Sequence, residues 1–293
     1  MKKRNLLLSI LASSFLLFGC NKKVNFVLAL GGEGVPVGQY SIKILSYFGL
    51  KDDDIKTLEK KGAITYCQDV KAVTSQVTGN LVSAGIVYQT DAFSANLTPV
   101  DTATKEMCGQ VIYPAAVINY SSKEEEAKSF LSYLQTKEAM DVFESVGFSK
   151  VSKTYADEIK NSKSDNIELN IYAAASMTET LNEIKTKYEA LYPNITLIMN
   201  YGSSGALQKQ IEESAPINGQ TSKNGPDIFI SAGQSQMNNI DKDGGTQTDK
   251  DLIDHSTRVD LLENKVALVT PTNNPINIKS FDDLKSQLFD LLK

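Results

Sequence analysis

The chain has 293 residues, of which 41% are hydrophobic and 22% are charged, and its formal net charge is −5. This composition is ordinary for a globular protein and leaves ample chain for a hydrophobic core. No basic stripe is visible, so nucleic acid is not an expected partner. With His255 as the single histidine, neither a histidine-based metal site nor a Ser-His-Asp hydrolase is well supported.

The N-terminus has the pattern of a secretory signal. Residues 1–4 (MKKR) are basic, and residues 6–18 form an apolar stretch that is too short and too early for a good membrane span. Gly19 then precedes Cys20, an order that resembles a bacterial lipobox. We therefore predict a lipoprotein signal peptide over residues 1–19 and a lipid on Cys20; a plain cleaved signal or an anchor helix is the alternative. Removal of Lys2, Lys3 and Arg4 takes the net charge to about −8 by formal counting.

Short β-rich runs then alternate with helical patterns, which is typical of an α/β fold. In the first half we predict strands at 24–30, 84–88 and 111–119, and helices at about 38–48 and 69–78. A further helix opens with Ser122 and Glu125 in capping-box spacing, and another follows it. The apolar stripes of these two helices predict core packing: Ala127, Phe130, Leu131 and Leu134 in the first, and Ala139, Val142, Phe143 and Val146 in the second.

Residues 149–166 are polar and lose the periodicity, so we predict a linker there. The alternation restarts with strands at 169–173, 195–200, 227–231 and 266–270. Helices are predicted from Ser176, over 206–211 and over 280–292, and the first of them carries an apolar stripe of Leu181, Ile184, Tyr188 and Leu191. Residues 217–225 and 242–250 read as exposed polar loops, and His255 as a surface loop residue.

Cys67 and Cys108 are the cysteines that remain after Cys20. Their wide separation argues against a metal pair, and two thiols make no disulfide framework. We predict two free buried thiols, with a single bridge as the alternative.

Three strand-to-helix junctions are rich in small residues, at 31–38 (GGEGVPVG), 173–176 (AAAS) and 201–205 (YGSSG). Each is expected to present the free N–H groups of a helix start at the carboxyl edge of a sheet, where anions are favoured. Simpler interpretations exist, because Ser176 and Glu179 have capping-box spacing, and Ser203 and Ser204 are common turn residues. The glycine cluster has the wrong spacing for a dinucleotide fingerprint.

Several runs together resemble the molybdate-binding proteins of ABC transporters. The N-terminal half of that family is matched by residues 169–178 (LNIYAAASMT), 201–212 (YGSSGALQKQIE), 226–232 (PDIFISA) and 257–269. Its C-terminal half is matched upstream, by residues 35–40 (VPVGQY), 68–71 (QDVK), 85–92 (GIVYQTDA), 113–117 (YPAAV) and 143–148 (FESVGF). The resemblance covers nearly everything between Val24 and Leu284, with the two halves in reverse order.

The resemblance implies a type II periplasmic-binding-protein fold, with two lobes of mixed sheets flanked by helices, circularly permuted. One lobe should comprise residues 24–112 plus 262–293, and the other residues 113–261, which include the linker joining the old termini. Permutation is tolerated where the old termini are close and the cut lies in an exposed loop. A rearranged reading frame would give the same order.

In the family, an oxyanion is held between the lobes by serine hydroxyls, backbone amides and a tyrosine hydroxyl. Those roles fall on Ser176, Ser204 and Tyr88, and on the backbone N–H groups of Val37 and Val70. Neutral donors suit a fully ionised dianion, whereas a phosphate monoanion needs a carboxylate acceptor. Asp69 keeps phosphate under consideration, although we expect its side chain to point away.

The expected function is therefore capture of molybdate or tungstate for an ABC importer by a monomeric, extracytoplasmic protein anchored to the cell membrane through Cys20. No cofactor and no direct protein ligand to the metal are expected, because molybdenum would enter only as its oxyanion. Departures from the family pattern, such as Gly31 and Gly32 in place of its Asp-Pro pair, bear on ligand identity. The alternatives are a sulfate- or phosphate-binding protein, a nucleotide-dependent α/β enzyme, and a surface lipoprotein that binds nothing.

Overall fold

The computed structural model describes residues 26–152, 165–216, 225–244 and 249–293. The predicted signal peptide and Cys20 lie outside these ranges, as do most of the linker and parts of both polar loops. In the described part of the chain, no helix is long and apolar enough to cross a membrane. The chain forms two mixed sheets, each flanked by helices, which confirms the predicted α/β fold class.

The first sheet organises lobe A, which we define as residues 26–110 and 265–293. Its strand order is β2-β1-β3-β11-β4; β1 is parallel to β2 and β3, and β11 is antiparallel to β3 and β4. Its central strands are buried throughout and read as unbroken apolar runs, because helices cover both faces. The elements of lobe A are β1 (Leu28–Gly31), α1 (Pro36–Tyr47), α2 (Asp52–Lys60), β2 (Ile64–Cys67), α3 (Val70–Thr78), β3 (Ala84–Tyr88), α4 (Gln89–Ser94), β4 (Asp101–Thr102), α5 (Lys105–Cys108), β11 (Val266–Val269) and α11 (Phe281–Leu292).

The second sheet organises lobe B, which comprises the described residues between 111 and 264. Its strand order is β6-β10-β5-β9-β7-β8, with β7 parallel to both β8 and β9. The edge strand β8 alternates at its start, with Ile195 and Leu197 buried and Ile198 exposed. The elements of lobe B are β5 (Val111–Val117), α6 (Glu124–Tyr133), α7 (Lys137–Ser145), β6 (Ser149–Lys150), β7 (Ile167–Ala174), a 3-10 turn (Ala175–Met177), α8 (Thr178–Leu191), β8 (Ile195–Gly202), α9 (Ser204–Ser214), β9 (Ile228–Ile230), α10 (Gln234–Asn238), a second 3-10 turn (His255–Thr257) and β10 (Val259–Asn264).

The chain passes between the lobes twice, ahead of β5 and after β10. These two strands are antiparallel neighbours, and Val111 is the register partner of Asn264. The lobe boundaries that the resemblance implies, at 112/113 and 261/262, fall inside β5 and β10. The two sheets therefore divide the chain within two or three residues of those positions.

The helices of lobe B bury most of the stripes that their sequences predict, although Val146 is only half-buried. Phe130 of α6 packs edge-on against Tyr188 of α8, with ring centroids 4.9 Å apart, and Tyr133 and Tyr192 extend the aromatic cluster. All four of these side chains are buried. Burial of large aromatic side chains dominates core energetics, so this cluster is a main source of lobe B stability.

Some local predictions were wrong. The capping box of Ser122 and Glu125 does not form, because α6 begins at Glu124 with Lys123 as its N-cap residue and without a side-chain cap. Leu191 is 49% exposed at the end of α8, where the helix leaves the core. Helix α2 and strand β2 were not predicted. The charged run at 51–54 resembles a loop, and the helix that contains most of it buries only Ile55 and Leu58.

Cys67 and Cys108 are both free and buried, as predicted. Burial raises the pKa of each thiol above its ordinary value. Both thiols therefore behave as small apolar side chains of lobe A.

Candidate functional site

Each of the five predicted anion-binding residues lies at the carboxyl end of a parallel strand. Val37, Val70 and Tyr88 follow or end β1, β2 and β3 of lobe A, and Ser176 and Ser204 follow β7 and β8 of lobe B. All five are buried. The carboxyl edges of parallel strands are where open α/β folds bind ligands, so each lobe contributes its binding edge.

The two edges meet in a closed junction. The N–H of Gly205 donates to the carbonyl oxygen of Gly34 at 3.0 Å, and Ser235 Oγ donates to Gln39 Oε1 at 2.9 Å. The hydroxyl of Tyr88 donates to the carbonyl oxygen of Ala232 at 3.1 Å. These three bonds join lobe A to lobe B at Tyr88 and beside Ser204.

Ser176 is held by a chain of neutral donors. Its Oγ lies 3.0 Å from the hydroxyl of Tyr113, and Asn264 Nδ2 donates both to that hydroxyl, at 3.2 Å, and to Thr90 Oγ1, at 2.9 Å. Because Asn264 can only donate from Nδ2, Tyr113 is free to donate to Ser176, which leaves the Ser176 proton for a ligand. The predicted capping box with Glu179 is absent: Ser176 lies in the 3-10 turn, and α8 has no side-chain cap.

Ser204 is positioned by the backbone that follows β9. Its Oγ accepts from the N–H of Ala232 at 2.9 Å, so its own proton remains available. Ser203, rather than Ser204, caps α9 by accepting from Ala206. Tyr88 differs from both serines, because its single proton is already donated to Ala232. A role for Tyr88 as an anion donor therefore requires this bond to open.

Val37 and Val70 lie in the first turns of α1 and α3, where backbone N–H groups have no acceptor inside the helix. Asp69 is the N-cap residue of α3 and accepts from Ala72 at 2.8 Å. Its carboxylate is therefore engaged in capping. Helix α3, which begins at Val70, packs against the 3-10 turn that carries Ser176, so these elements of the two lobes are in contact across the junction.

The tyrosines of the junction stay protonated. Burial raises the pKa of Tyr88 and of Tyr113 well above the ordinary phenol value, and each is raised further by neighbouring tyrosine and aspartate groups. The rings of Tyr88 and Tyr113 pack edge-on, with centroids 5.6 Å apart. Both side chains are thus neutral donors at every physiological pH.

An ion pair crosses the junction beside the predicted site. Lys71 follows Val70 in α3, Glu179 lies three residues after Ser176, and the two side chains form an ion pair between the lobes. They are 34% and 51% exposed, so the pair is screened by solvent and contributes about 0–1 kcal/mol.

We expect Glu179→Gln to weaken anion binding by less than about fivefold, because it removes one screened ion pair from the closed state. The difference from the unsubstituted protein should vanish at 1 M salt, where the Debye length is about 3 Å. Titration calorimetry at low and high salt measures the loss of affinity and its dependence on salt. A loss that persists at high salt would show that Glu179 acts through something other than its charge.

His255 lies at the surface of lobe B, as predicted, between two carboxylates. Its Nδ1 is 3.1 Å from Asp241, and its Nε2 is 2.6 Å from Asp251. These three residues are close enough to share a metal ion. Arg258 pairs with Asp241 and Lys242 pairs with Asp251, so the group is already neutralised as an ion-pair network.

Four residues of the junction were missed in the sequence: Tyr113, Asn264, Ala232 and Asp91. Tyr113 and Asp91 lie inside matched runs, but nothing in their spacing showed that they would meet Ser176 or be buried. Ala232 acts through its backbone, which no side-chain pattern reveals. Asn264 closes β10, a strand that the sequence did not mark separately from the run leading into β11.

The fold and the closed junction define a two-lobed solute-binding protein. The profile of the family described as "Bacterial extracellular solute-binding protein" matches residues 21–149 and 169–292. The chain belongs to that family. It is a binding protein and not an enzyme, which decides against the nucleotide-dependent α/β enzyme.

Two curated relatives illustrate the similarity. The chain is 39% identical over 123 residues to YvgL of Bacillus subtilis, named as an ABC transporter substrate-binding lipoprotein, covering 41% of this chain and 45% of the relative. It is 30% identical over 126 residues to the molybdate-binding protein ModA of Haemophilus influenzae, covering 43% and 42%. The matched segment thus spans less than half the length of these relatives.

Among solved structures, the chain is similar to the phosphate-binding protein of a Streptococcus pneumoniae phosphate ABC transporter. The TM-score is 0.53 at 14% identity, and the match covers 91% of this chain and 96% of the other. At this level of identity the similarity shows the fold.

Proposed function

We propose that this protein captures a small tetrahedral oxyanion, molybdate or tungstate, between its lobes and delivers it to an ABC importer. The observation that carries the proposal is the convergence of five predicted donor residues, from both lobes, at the facing carboxyl edges of two sheets. Ser204 accepts a hydrogen bond from the N–H of Ala232, and Ser176 can accept one from the hydroxyl of Tyr113. The hydroxyl proton of each serine is then available to a ligand. The 30% identity to a ModA protein supports molybdate.

The donor set favours a fully ionised anion. Serine hydroxyls, helix-start N–H groups and a neutral tyrosine offer protons and no negative charge. Asp69, the carboxylate next to Val70, is held in place by the capping bond that its Oδ1 accepts from the N–H of Ala72. Sulfate shares the shape and charge of molybdate, so its exclusion would depend on cavity size.

The first test is a thermal-shift panel with molybdate, tungstate, sulfate and phosphate. At ten times its dissociation constant, a ligand of the folded state adds about 1.4 kcal/mol to the free energy of unfolding. We expect molybdate and tungstate to raise Tm by roughly 3–6 °C and phosphate to leave it unchanged. A rise with sulfate or phosphate alone would reassign the ligand, and no rise with any of the four would overturn the proposal.

We further propose that the halves of the chain are in reverse order relative to molybdate-binding proteins. Two observations support this order. The family profile matches residues 21–149 and 169–292 as separate segments, and each curated relative aligns over less than half of its length. Sequencing across the genomic locus distinguishes a genuine permutation from a rearranged reading frame.

The membrane anchor is likewise a proposal. It depends on Cys20 and its apolar lead, and it is supported by the lipoprotein named among the relatives. A lipid on Cys20 would keep the protein at the outer face of the cell membrane, beside the permease of its importer.

A further inference from the structure

A buried carboxyl group beside the junction is not explained by the fold. Asp91 is the third residue of α4, three residues after Tyr88, and its side chain is 4% exposed. Within the described residues, its Oδ2 atom has no hydrogen-bond partner. An ionised carboxylate oxygen without a partner is costly to bury, whereas a protonated carboxyl group is much less so.

The charged groups around Asp91 come from both lobes. In lobe A these are Lys71 and Asp69, together with the hydroxyl of Tyr88; in lobe B they are Glu179 and the hydroxyl of Tyr113. Lys71, the single cation among them, is already paired with Glu179. The neighbourhood therefore carries more negative than positive charge.

Burial and this surplus of negative charge both raise the pKa of Asp91. Loss of solvent raises the pKa of Asp91 to about 8, Lys71 opposes that rise, and Glu179 and Asp69 add to it. At neutral pH the closed protein consequently holds this carboxyl group in its neutral form. Separation of the lobes removes Glu179 and admits water, which would return the pKa of Asp91 toward an ordinary value of about 4.

We propose that Asp91 is a proton-holding residue of the junction, so that closure on a dianion takes up one proton from solvent. The proton comes from water and ends on the Asp91 carboxylate, and no covalent bond to the anion forms. Two negative charges arriving beside Tyr88 and Val70 disfavour the ionised carboxylate further. The proposal extends the proposed function, since it concerns the capture of the same oxyanion.

The sign of the pH dependence follows from linkage. The closed state binds more protons than the open state between about pH 4 and pH 8, so closure is favoured by low pH. Affinity should fall about tenfold for each pH unit between 6.5 and 8. The neutral variant Asp91→Asn should show no such slope.

Titration calorimetry with sodium molybdate tests this directly, in buffers of different ionisation enthalpy. We expect uptake of about one proton per anion at pH 7 in the unsubstituted protein and of none in Asp91→Asn. Asp282→Asn, which removes an exposed carboxylate of α11, should behave like the unsubstituted protein. Binding without proton uptake, or proton uptake that persists in Asp91→Asn, would overturn the proposal.

A second readout separates this proposal from the proposed function. Tm in saturating molybdate reports the closed state, in which a carboxyl group with a raised pKa contributes stability that is complete below the unfolded pKa and is lost as pH rises through the folded value. We expect the rise in Tm that molybdate causes to shrink between pH 5 and pH 8 in the unsubstituted protein and to stay constant in Asp91→Asn. No rise at any pH in either protein would overturn the proposed function, whereas rises that are equal and independent of pH would overturn only the role of Asp91.

Discussion

Gly205→Ala should weaken anion binding at least about 100-fold and leave the protein folded. Gly205 packs directly against the facing lobe, and a Cβ placed on it would lie 2.4 Å from the carbonyl oxygen of Gly34 and 2.8 Å from its Cα. Both atoms belong to the backbone, so no side chain can rotate away. The added methyl group would hold the lobes apart and deny the anion its second set of donors.

The same substitution is favourable within lobe B. Gly205 lies in the first turn of α9, and alanine is a better helix residue than glycine by up to about 1 kcal/mol. Tm without ligand should therefore be unchanged or higher. Gly202→Ala is the matched control from the same strand-to-helix junction, since its Cβ would meet only the Leu207 side chain at 3.4 Å. Calorimetry with molybdate compares the two, and equal affinities would contradict a closed junction at Gly34.

Ser204→Ala should weaken anion binding by about 1–3 kcal/mol, or roughly 5–150-fold. The substitution removes a hydroxyl proton that is available to a charged ligand. It also removes the acceptor that holds the N–H of Ala232 at 2.9 Å. Because Ser204 is completely buried, water cannot replace either interaction without rearrangement.

Ser203→Ala supplies the control for this loss. Ser203 is the neighbouring serine and caps α9, so its removal should cost about 1 kcal/mol of stability and leave affinity within about threefold. Affinity should therefore fall only in Ser204→Ala, whereas Tm without anion should fall in both variants. Unchanged molybdate affinity in Ser204→Ala would return Ser204 to the status of a turn residue.

The strands and helices with strong periodicity were predictable from the sequence. Strand β3 was predicted at its observed bounds, and the stripe that places Phe130 and Leu134 in the core was correct. Such elements bury a large apolar face, so their pattern and their structure have the same cause. Helix α2 buries only two apolar side chains, and a pattern that weak does not stand out from a charged loop.

The candidate anion donors of the junction were predictable from the sequence, but the residues that hydrogen-bond to them were not. Small residues after strands indicate helix starts, and resemblance to a family pointed to Ser176 and Ser204. The partners of these serines come from far along the chain, such as Tyr113 and Asn264, and only the fold brings them together. The capping-box interpretation of Ser176 failed because a 3-10 turn precedes α8, and Glu179 pairs instead with Lys71 of the other lobe.

The two passages of the chain between the lobes constrain how the protein can move. Both passages begin at neighbouring strands, at the register partners Val111 and Asn264, so the two connections between the lobes lie side by side and form one hinge. A hinge of two adjacent connections permits the lobes to rotate about the line through them and resists sliding or twisting of one lobe against the other. Asn264 also donates to Thr90 and to the hydroxyl of Tyr113, which lies within hydrogen-bond distance of Ser176. The hinge is therefore connected to Ser176 by hydrogen bonds. Rotation of the lobes about this axis therefore changes the surroundings of Ser176.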